Sequence, residues 1–144
     1  MIEQDTIKLL RECDAGVKMG VSSIDDVMKY VKSEKLRKIL ADNRQEHCKL
    51  DKELQELLDD YHDDGKEPAA IAKGMSWIKT NMKLMIDDSD EVVADLITDG
   101  CNMGVKSLNM YLNQYAAADE KSKDICKRLI NLEEDLTIQM RQFL

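Results

Sequence analysis

The sequence predicts an all-helical four-helix bundle, and three of its features lead to this fold class. Charged residues make up 35% of the 144 residues, whereas aromatic residues make up only 4%. With one proline and six glycines, the chain offers few of the turns that a β-sandwich requires. Apolar residues recur at helical spacing, three and four positions apart, over long stretches. At this length they predict a single domain, residues 1–144, with one core.

The first part of the chain, residues 1–64, predicts a helical hairpin. Apolar residues step through the inward positions of residues 7–31, and the same stepping continues over residues 36–61. Only a few residues around Ser33 separate the two patterns, so we expect two antiparallel helices joined by a tight turn. Polar residues interrupt the inward positions at three places: Asp14, Asn43 and His47.

A crossover is predicted for residues 65–87. Gly65 can end a helix and Pro68 can open the next one. Residues 69–85 are long enough for a short helix of about 25 Å, which suits a connection along the length of a bundle.

Residues 88–144 predict a second hairpin. The start of its first helix offers capping oxygens and negative charge from three neighbouring residues: Asp87, Asp88 and Ser89. We expect this helix to run to about Tyr115 and the last helix to follow Asp119 to the C terminus.

The two predicted hairpins are similar in sequence. Residues 16–24 read GVKMGVSSI, and residues 100–108, 84 positions later, read GCNMGVKSL. At an offset of 86, residues 36–58 align with residues 122–144, and leucines of the first segment align with apolar residues of the second. A duplicated hairpin joined by a long crossover predicts a bundle with approximate two-fold symmetry.

Short motifs spread over most of the chain resemble those of one superfamily. They are Asp14-Ala15-Gly16, Glu53-Leu54-Gln55, Gly65-Lys66-Glu67-Pro68 with Trp77 and Lys79 downstream, and Asp99-Gly100. Together with the duplicated hairpin, they resemble the ferritin-like superfamily, and nearest to it an uncharacterised bacterial four-helix domain of unknown function. The resemblance implies a ferritin-like bundle. In active relatives it implies a di-iron centre, with one Glu from each of helices 1 and 3 and a Glu-x-x-His from each of helices 2 and 4.

This sequence departs from the di-iron pattern at nearly every position. Level with His47, the first helix offers Gly20 and Val21 instead of a carboxylate, and the residue three before His47 is Arg44. The second hairpin has the corresponding residues Gly104, Val105, Ile130 and Glu133. We therefore expect the di-iron ligands to be lost.

What remains at the inward positions is a thin set of polar residues, which we call the central polar layer: Asp14, Asn43, His47, Thr98 and Glu133. The favoured interpretation is a buried hydrogen-bonded network in which His47 and a carboxylate satisfy each other. One alternative is a site for a single iron, manganese or zinc ion, formed by His47 and Glu133 with Asp14 or Cys48. Another is an inert, solvent-reachable His47. His62, beside two aspartates at a helix end, is expected at the surface.

Four glycines fall inside predicted helices: Gly16, Gly20, Gly100 and Gly104. Each costs about 0.5 to 1 kcal/mol relative to alanine, so something must offset the loss. The favoured reason is close packing of helices 1 and 3, either within the bundle or across a dimer interface. The alternative is room for a flat ligand such as a porphyrin or flavin, although no axial-ligand pattern accompanies the glycines.

Composition limits the classes of partner and the cell compartment that we expect for this chain. The net charge of −8 and the absence of a basic stripe argue against nucleic acid. No apolar run approaches the roughly 20 residues of a membrane span, and no leader pattern opens the chain, so we expect a cytoplasmic protein without membrane contact. Four cysteines without a Cys-x-x-Cys pair are expected to be reduced thiols.

The sequence contains no arrangement of nucleophile and base, no phosphate-binding loop and no zinc spacing, so no catalytic residue is assigned. Whether the chain is an enzyme stays open, and the balance favours a non-catalytic protein-interaction or structural module without a cofactor. A homodimer or another protein partner is expected. The alternative is a metal-binding or oxidoreductase protein with a reduced site around His47 and Glu133.

Overall fold

The computed structural model describes residues 2–68 and 87–144. They form four long helices, α1 (Ile2–Met28), α2 (Glu34–Asp60), α3 (Asp90–Gln114) and α4 (Glu120–Met140), followed by a 3-10 turn, Arg141–Phe143. No strand occurs within these two ranges. The prediction of an all-helical fold with four long helices is confirmed, whereas the short helix expected over residues 69–85 lies outside the described residues.

Side-chain caps fix the start of the last three helices. The Ser33 hydroxyl accepts a hydrogen bond from the backbone N–H of Leu36, and Ser89 caps α3 in the same way. Asp119 Oδ1 accepts from the N–H of Ser122 at 2.9 Å. Each cap satisfies one of the backbone donors that the first turn of a helix leaves free.

Helix α2 ends within one residue of the apolar stepping predicted over residues 36–61, but Gly65 does not end it. The helix already ends at Asp60, and the first residue in the left-handed region is His62, with φ of 56°. His62 is exposed. Gly65 also has a positive φ, 80°, but a Cβ there would collide with the Asp14 carboxylate. This glycine therefore allows the chain after α2 to approach α1 closely, a role that sequence rules for helix ends do not predict.

Contacts at the two ends of the bundle give the helix directions. Where α1 ends and α2 begins, the Asp90 carboxylate at the start of α3 accepts from the backbone N–H groups of Lys32 and Ser33, at 2.8 and 3.0 Å. At the opposite end, Thr6 of α1 accepts from the N–H of Asp119 at 2.8 Å. Helices α1 and α4 therefore run in one direction, and α2 and α3 run in the other.

Each helix packs mainly against two neighbours. Helix α1 lies beside α2 and α3, and α4 lies beside the same two helices, with a further contact between α1 and α4. The neighbouring pairs are therefore antiparallel. Charged pairs join the helices at the surface, for example Arg128 of α4, which binds Glu53 of α2 through two nitrogens at 2.8 and 2.9 Å.

The apolar core consists of two clusters, one toward each end of the bundle. The cluster toward the start of α3 includes Ile24, Leu40, Ile97 and Leu136. The cluster toward the start of α1 includes Leu9, Leu54, Leu108 and Leu129. Each cluster takes residues from all four helices, so neither hairpin buries its apolar face alone. The level between the clusters is where polar side chains enter the core.

Candidate functional site: a buried histidine–glutamate pair beside a groove

The level between the two core clusters holds a buried pair, His47 of α2 and Glu133 of α4. Their residues are 1% and 7% exposed, and His47 Nε2 lies 3.3 Å from Glu133 Oε1. On the other side of the ring, Nδ1 lies 3.0 Å from the backbone carbonyl oxygen of Asn43. Two residues of the predicted central polar layer are thus in direct contact.

The hydrogen bonds around His47 determine how many protons the pair holds. A carbonyl oxygen can only accept, so Nδ1 must donate its proton to Asn43. The contact between Nε2 and Glu133 then requires one shared proton: either an imidazolium donates to a carboxylate or a carboxyl group donates to a neutral imidazole. In both states the pair as a whole carries no net charge.

Three of the four glycines of α1 and α3 face side chains of other helices. A Cβ built on Gly20 would lie 2.6 Å from His47 Nε2, and one on Gly104 would lie 3.5 Å from the Glu133 carboxylate. A Cβ on Gly16 would lie 3.4 Å from the Leu129 side chain. At these three positions, core side chains of α2 and α4 therefore occupy, or lie next to, the space that a Cβ would take.

A groove between α1 and α3 opens beside the His47–Glu133 pair, and its volume is 270 Å³. All four glycines line it, together with His47 and Glu133. Its other walls are chiefly apolar and include Met19, Met103, Leu96, Ile97, Leu108 and Leu136. The groove thus combines a glycine-lined opening with one buried pair of titratable side chains. The sequence did not reveal that a groove lies between α1 and α3.

Asn43 and Cys101 surround the pair. Asn43 Nδ2 donates to the carbonyl oxygen of Leu132 at 3.3 Å, but its Oδ1 is buried without a hydrogen-bond partner among the described residues. The Cys101 thiol is also buried, and this burial, followed by the nearby Glu133 carboxylate, raises its pKa well above the ordinary range. Cys101 is therefore a protonated thiol and not a reactive thiolate.

The structure places Asp14 apart from the His47–Glu133 pair, at the edge of the core where the chain leaves α2. Its fully buried carboxylate accepts hydrogen bonds from Lys18 Nζ, Gln55 Nε2 and the backbone N–H of Lys66, each at 2.9 Å. Gly65 lies against the same carboxylate. Asp14 thereby ties α1, α2 and the segment after α2 together.

Sequence reasoning missed the partners of Asp14, although a signal was present. Three of the motifs that resemble the ferritin-like branch contain the residues that meet here, namely Asp14, Gln55 and Gly65 with Lys66. No helical periodicity joins them. Thr98 of the predicted layer is placed separately: its hydroxyl is buried without a hydrogen-bond partner within the described ranges.

The residues around the pair do not fit a di-iron centre. Glycines stand where α1 and α3 would have to supply carboxylates. The Arg44 guanidinium is turned to the surface, where its Nε donates to Asp25 at 2.6 Å, and Ile130 is part of the apolar core. Neither α2 nor α4 therefore offers the Glu-x-x-His pair that such a centre takes from each of them.

The smaller set considered for a single metal ion is only partly assembled. His47 and Glu133 are in contact, but Asp14 is held by Lys18 and Cys48 lies 3.7 Å from the guanidinium of Arg44. Among residues 2–68 and 87–144, no group of three or more His, Cys, Asp or Glu side chains is arranged to hold a metal ion. The four cysteines are free thiols.

Within the described ranges, no helix combines the length and the apolar character that a membrane span requires. No protein-family model, curated protein or solved structure matches this chain. Functional inference therefore depends on the geometry of its own residues.

Proposed function

We propose that this chain is a ferritin-like bundle that has lost its di-iron centre and acts without catalysis, as a protein-interaction module that forms a homodimer. The helix directions support the ferritin-like assignment, because two hairpins with α2 and α3 running the same way require a connection along the bundle. Departure from the ligand pattern at Gly20, Gly104 and Arg44 supports the loss of the metal centre.

Contacts at equivalent positions support the proposed duplication of the hairpin. The N–H of Ser33 is bound by Asp90, and the N–H of Asp119 is bound by Thr6. Under the sequence offsets of 84 and 86 these two contacts are counterparts. Gly20 faces His47 as Gly104 faces Glu133, which relates the two hairpins in the same way. An ancestral hairpin that paired with a second copy of itself would leave this pattern.

The observation that carries the interaction proposal is the outer face of α3. We define the α3 face by its exposed residues: Asn102, Met103, Lys106, Ser107, Asn109, Met110, Asn113 and Gln114. Met103 and Met110 are 53% and 57% exposed, two helical turns apart on one side of the helix. Methionine enrichment and charge depletion are typical of the centre of a protein interface.

Charge supports a second copy of this chain as the partner. The chain has 29 acidic and 21 basic residues, so two copies repel each other over most of their surfaces. From residue 100 to residue 118, by contrast, the sequence contains no acid and only one base, Lys106. The α3 face is therefore a surface on which two copies can meet without opposing like charges.

Analytical ultracentrifugation of the full chain at 1 to 100 μM tests this function. We expect the wild type to dimerise and the M103E/M110E double variant to dimerise at least about tenfold more weakly, because each added carboxylate would be buried unpaired. Ile138→Glu on α4 is the matched control, since Ile138 is also 53% exposed. A wild type that stays monomeric at 100 μM contradicts the proposal, as does an equal loss in the control.

A second candidate function is binding of one iron, manganese or zinc ion, and the contact between His47 and Glu133 beside the groove favours it. Two protein donors leave most of the coordination sphere to water or substrate, so the site would be weak and unselective. Elemental analysis of protein purified without chelators decides this. Less than about a tenth of an equivalent, unchanged in His47→Ala, would exclude the metal function.

A cytoplasmic location is part of the same proposal. Its support is the set of four free thiols, three of them buried in the core, since reducing compartments keep such cysteines unpaired.

A further inference from the structure

We propose that the groove between α1 and α3 is a binding site for a small, neutral aromatic molecule of about two rings that carries one hydroxyl or N–H group. The groove is formed by residues of one chain alone, so ligand binding does not require the homodimer, although Met103 and Ser107 belong both to the groove and to the α3 face. The volume of the groove, its walls and the buried polar pair together indicate this class of ligand.

Volume limits the size of the ligand. An apolar cavity of about 150 Å³ accommodates benzene, and drug-sized ligands occupy pockets of about 300 Å³ and more. The groove measures 270 Å³, which lies between these values. It therefore suits a molecule with about two fused rings.

The walls favour a flat apolar molecule. Gly16 and Gly20 line one side and Gly100 and Gly104 line the other, so no side chain projects from these four positions of α1 and α3. Met19 and Met103 also line the groove. Methionine is flexible and its sulfur makes favourable contacts with aromatic rings, worth about 0.3 to 1.5 kcal/mol each.

The buried pair favours a ligand with one hydrogen-bond donor and no charge. His47 and Glu133 line the groove and share one proton, so they present acceptor oxygen without net charge. An anion would be buried beside this neutral pair without a countercharge, because the charge of Glu12, farther along the groove, is already paired with Lys66. A cation would be desolvated without a full countercharge, which is costly. A phenol or indole N–H avoids both penalties and offers the donor that a carboxylate accepts.

Isothermal titration calorimetry with three probes tests the ligand class on the full-length protein at pH 7. We expect 2-naphthol to bind saturably with a dissociation constant in the micromolar range, naphthalene to bind about tenfold more weakly, and 2-naphthoate not to bind. The tenfold difference corresponds to one hydrogen bond, about 1.4 kcal/mol. Equal binding of naphthalene and naphthol would overturn the role of the pair, and absence of binding would overturn the site.

Filling the groove tests its location. Gly104→Leu places a side chain in it and is expected to weaken naphthol binding at least tenfold. Gly104→Ala, whose Cβ would make only an ordinary contact at 3.5 Å, is the variant least exposed to misfolding and is expected to weaken binding about threefold. Asn131→Leu adds the same bulk at an exposed position of α4 that lies outside both the groove and the α3 face. If it weakens binding as much as Gly104→Leu, the probe binds elsewhere on the protein.

Discussion

The two hairpins meet symmetrically at mid-bundle but differ in how they use a buried polar group that lies one to two turns before this level in α1 and in α3. In the α1–α2 hairpin, Asp14 is fully buried and accepts from Lys18, Gln55 and Lys66. The corresponding position of α3, 84 residues later, holds Thr98, whose buried hydroxyl has no partner among the described residues. Two hairpins with the same helical frame therefore need not share the same polar network. The Asp14 network exists because the chain turns back onto α1 after α2.

At mid-bundle the two hairpins differ in how closely the glycine of the first helix packs against the side chain that it faces. Gly20 leaves no room for a Cβ beside the His47 ring, whereas Gly104 leaves ordinary contact distance to Glu133. An imidazole ring is broad and is held on both sides by hydrogen bonds, while a carboxylate on a longer side chain can move. Substitutions at equivalent positions should therefore have different, and sometimes opposite, effects.

The largest difference is expected between Asp14→Ala and Thr98→Val. Removing the Asp14 carboxylate leaves the Gln55 amide and the backbone N–H of Lys66 without this acceptor, while the partly exposed Lys18 keeps Glu67 as a partner. We therefore expect a loss of about 2 to 4 kcal/mol in the free energy of unfolding. Thr98→Val keeps the shape and removes an unsatisfied hydroxyl, so its change should lie within about 1 kcal/mol of zero or be stabilising. Urea denaturation followed by circular dichroism measures both.

Gln55→Leu tests the hydrogen-bond network while the charge of Asp14 stays in place. It removes one of the three donors and should cost about 1 kcal/mol. Equal, small effects of Asp14→Ala and Thr98→Val would show that the hairpins do not differ in the way their contacts indicate.

An intermediate effect is expected at the His47–Glu133 pair. Glu133→Ala leaves Nε2 of the buried ring without a partner and should cost about 2 kcal/mol. Glu133→Gln can still place a donor or an acceptor against the ring and should cost less than about 1 kcal/mol. If both variants lose the same stability in urea denaturation, the pair is not held by its hydrogen bond.

The two glycines should respond with opposite signs. Gly20→Ala forces its Cβ against the His47 ring and should destabilise the protein by about 1 to 3 kcal/mol. Gly104→Ala gains helix propensity without a clash and should stabilise it by about 0.5 to 1 kcal/mol. Thermal and urea denaturation measure both changes. A stabilising Gly20→Ala would show that His47 can move aside.

Most of the fold could be predicted from the sequence because helix formation leaves local signals. Apolar spacing marked the long helices, and Ser33, Ser89 and Asp119 marked where three of them begin. The ends were less predictable: α1 already begins at Ile2, before the apolar stepping that starts at residue 7, and the left-handed residue that follows α2 is His62 and not Gly65. Helix ends depend on contacts made by the following segment, and those contacts are tertiary.

The candidate site was predictable only in part. His47 and Glu133 were identified because they are polar residues at inward positions of two helices. The separation of Asp14 from them could not be read from one helix, since it depends on Gln55 and on the backbone of Lys66. The groove depends on the distance between α1 and α3, which the glycine spacing permits but does not fix.

The smallest predicted effect concerns the ion pair that also holds the segment after α2 to α1. Arg11 Nε lies 3.1 Å from Asp63 Oδ1, and this hydrogen bond lowers the pKa of the Asp63 carboxyl. A carboxyl with a lowered pKa contributes stability above its unfolded-state pKa of about 3.9, and the contribution is lost as the pH falls through the lower folded-state pKa. Because Arg11 is half exposed, Arg11→Met should cost only about 0.5 kcal/mol at pH 7 and less below pH 3. Lys38→Met, which removes an exposed pair with Asp42, is the control and should change stability less at both pH values. A cost for Arg11→Met that is the same at pH 7 and pH 2.5 would show that the arginine stabilises this segment through packing of its aliphatic stem and not through Asp63.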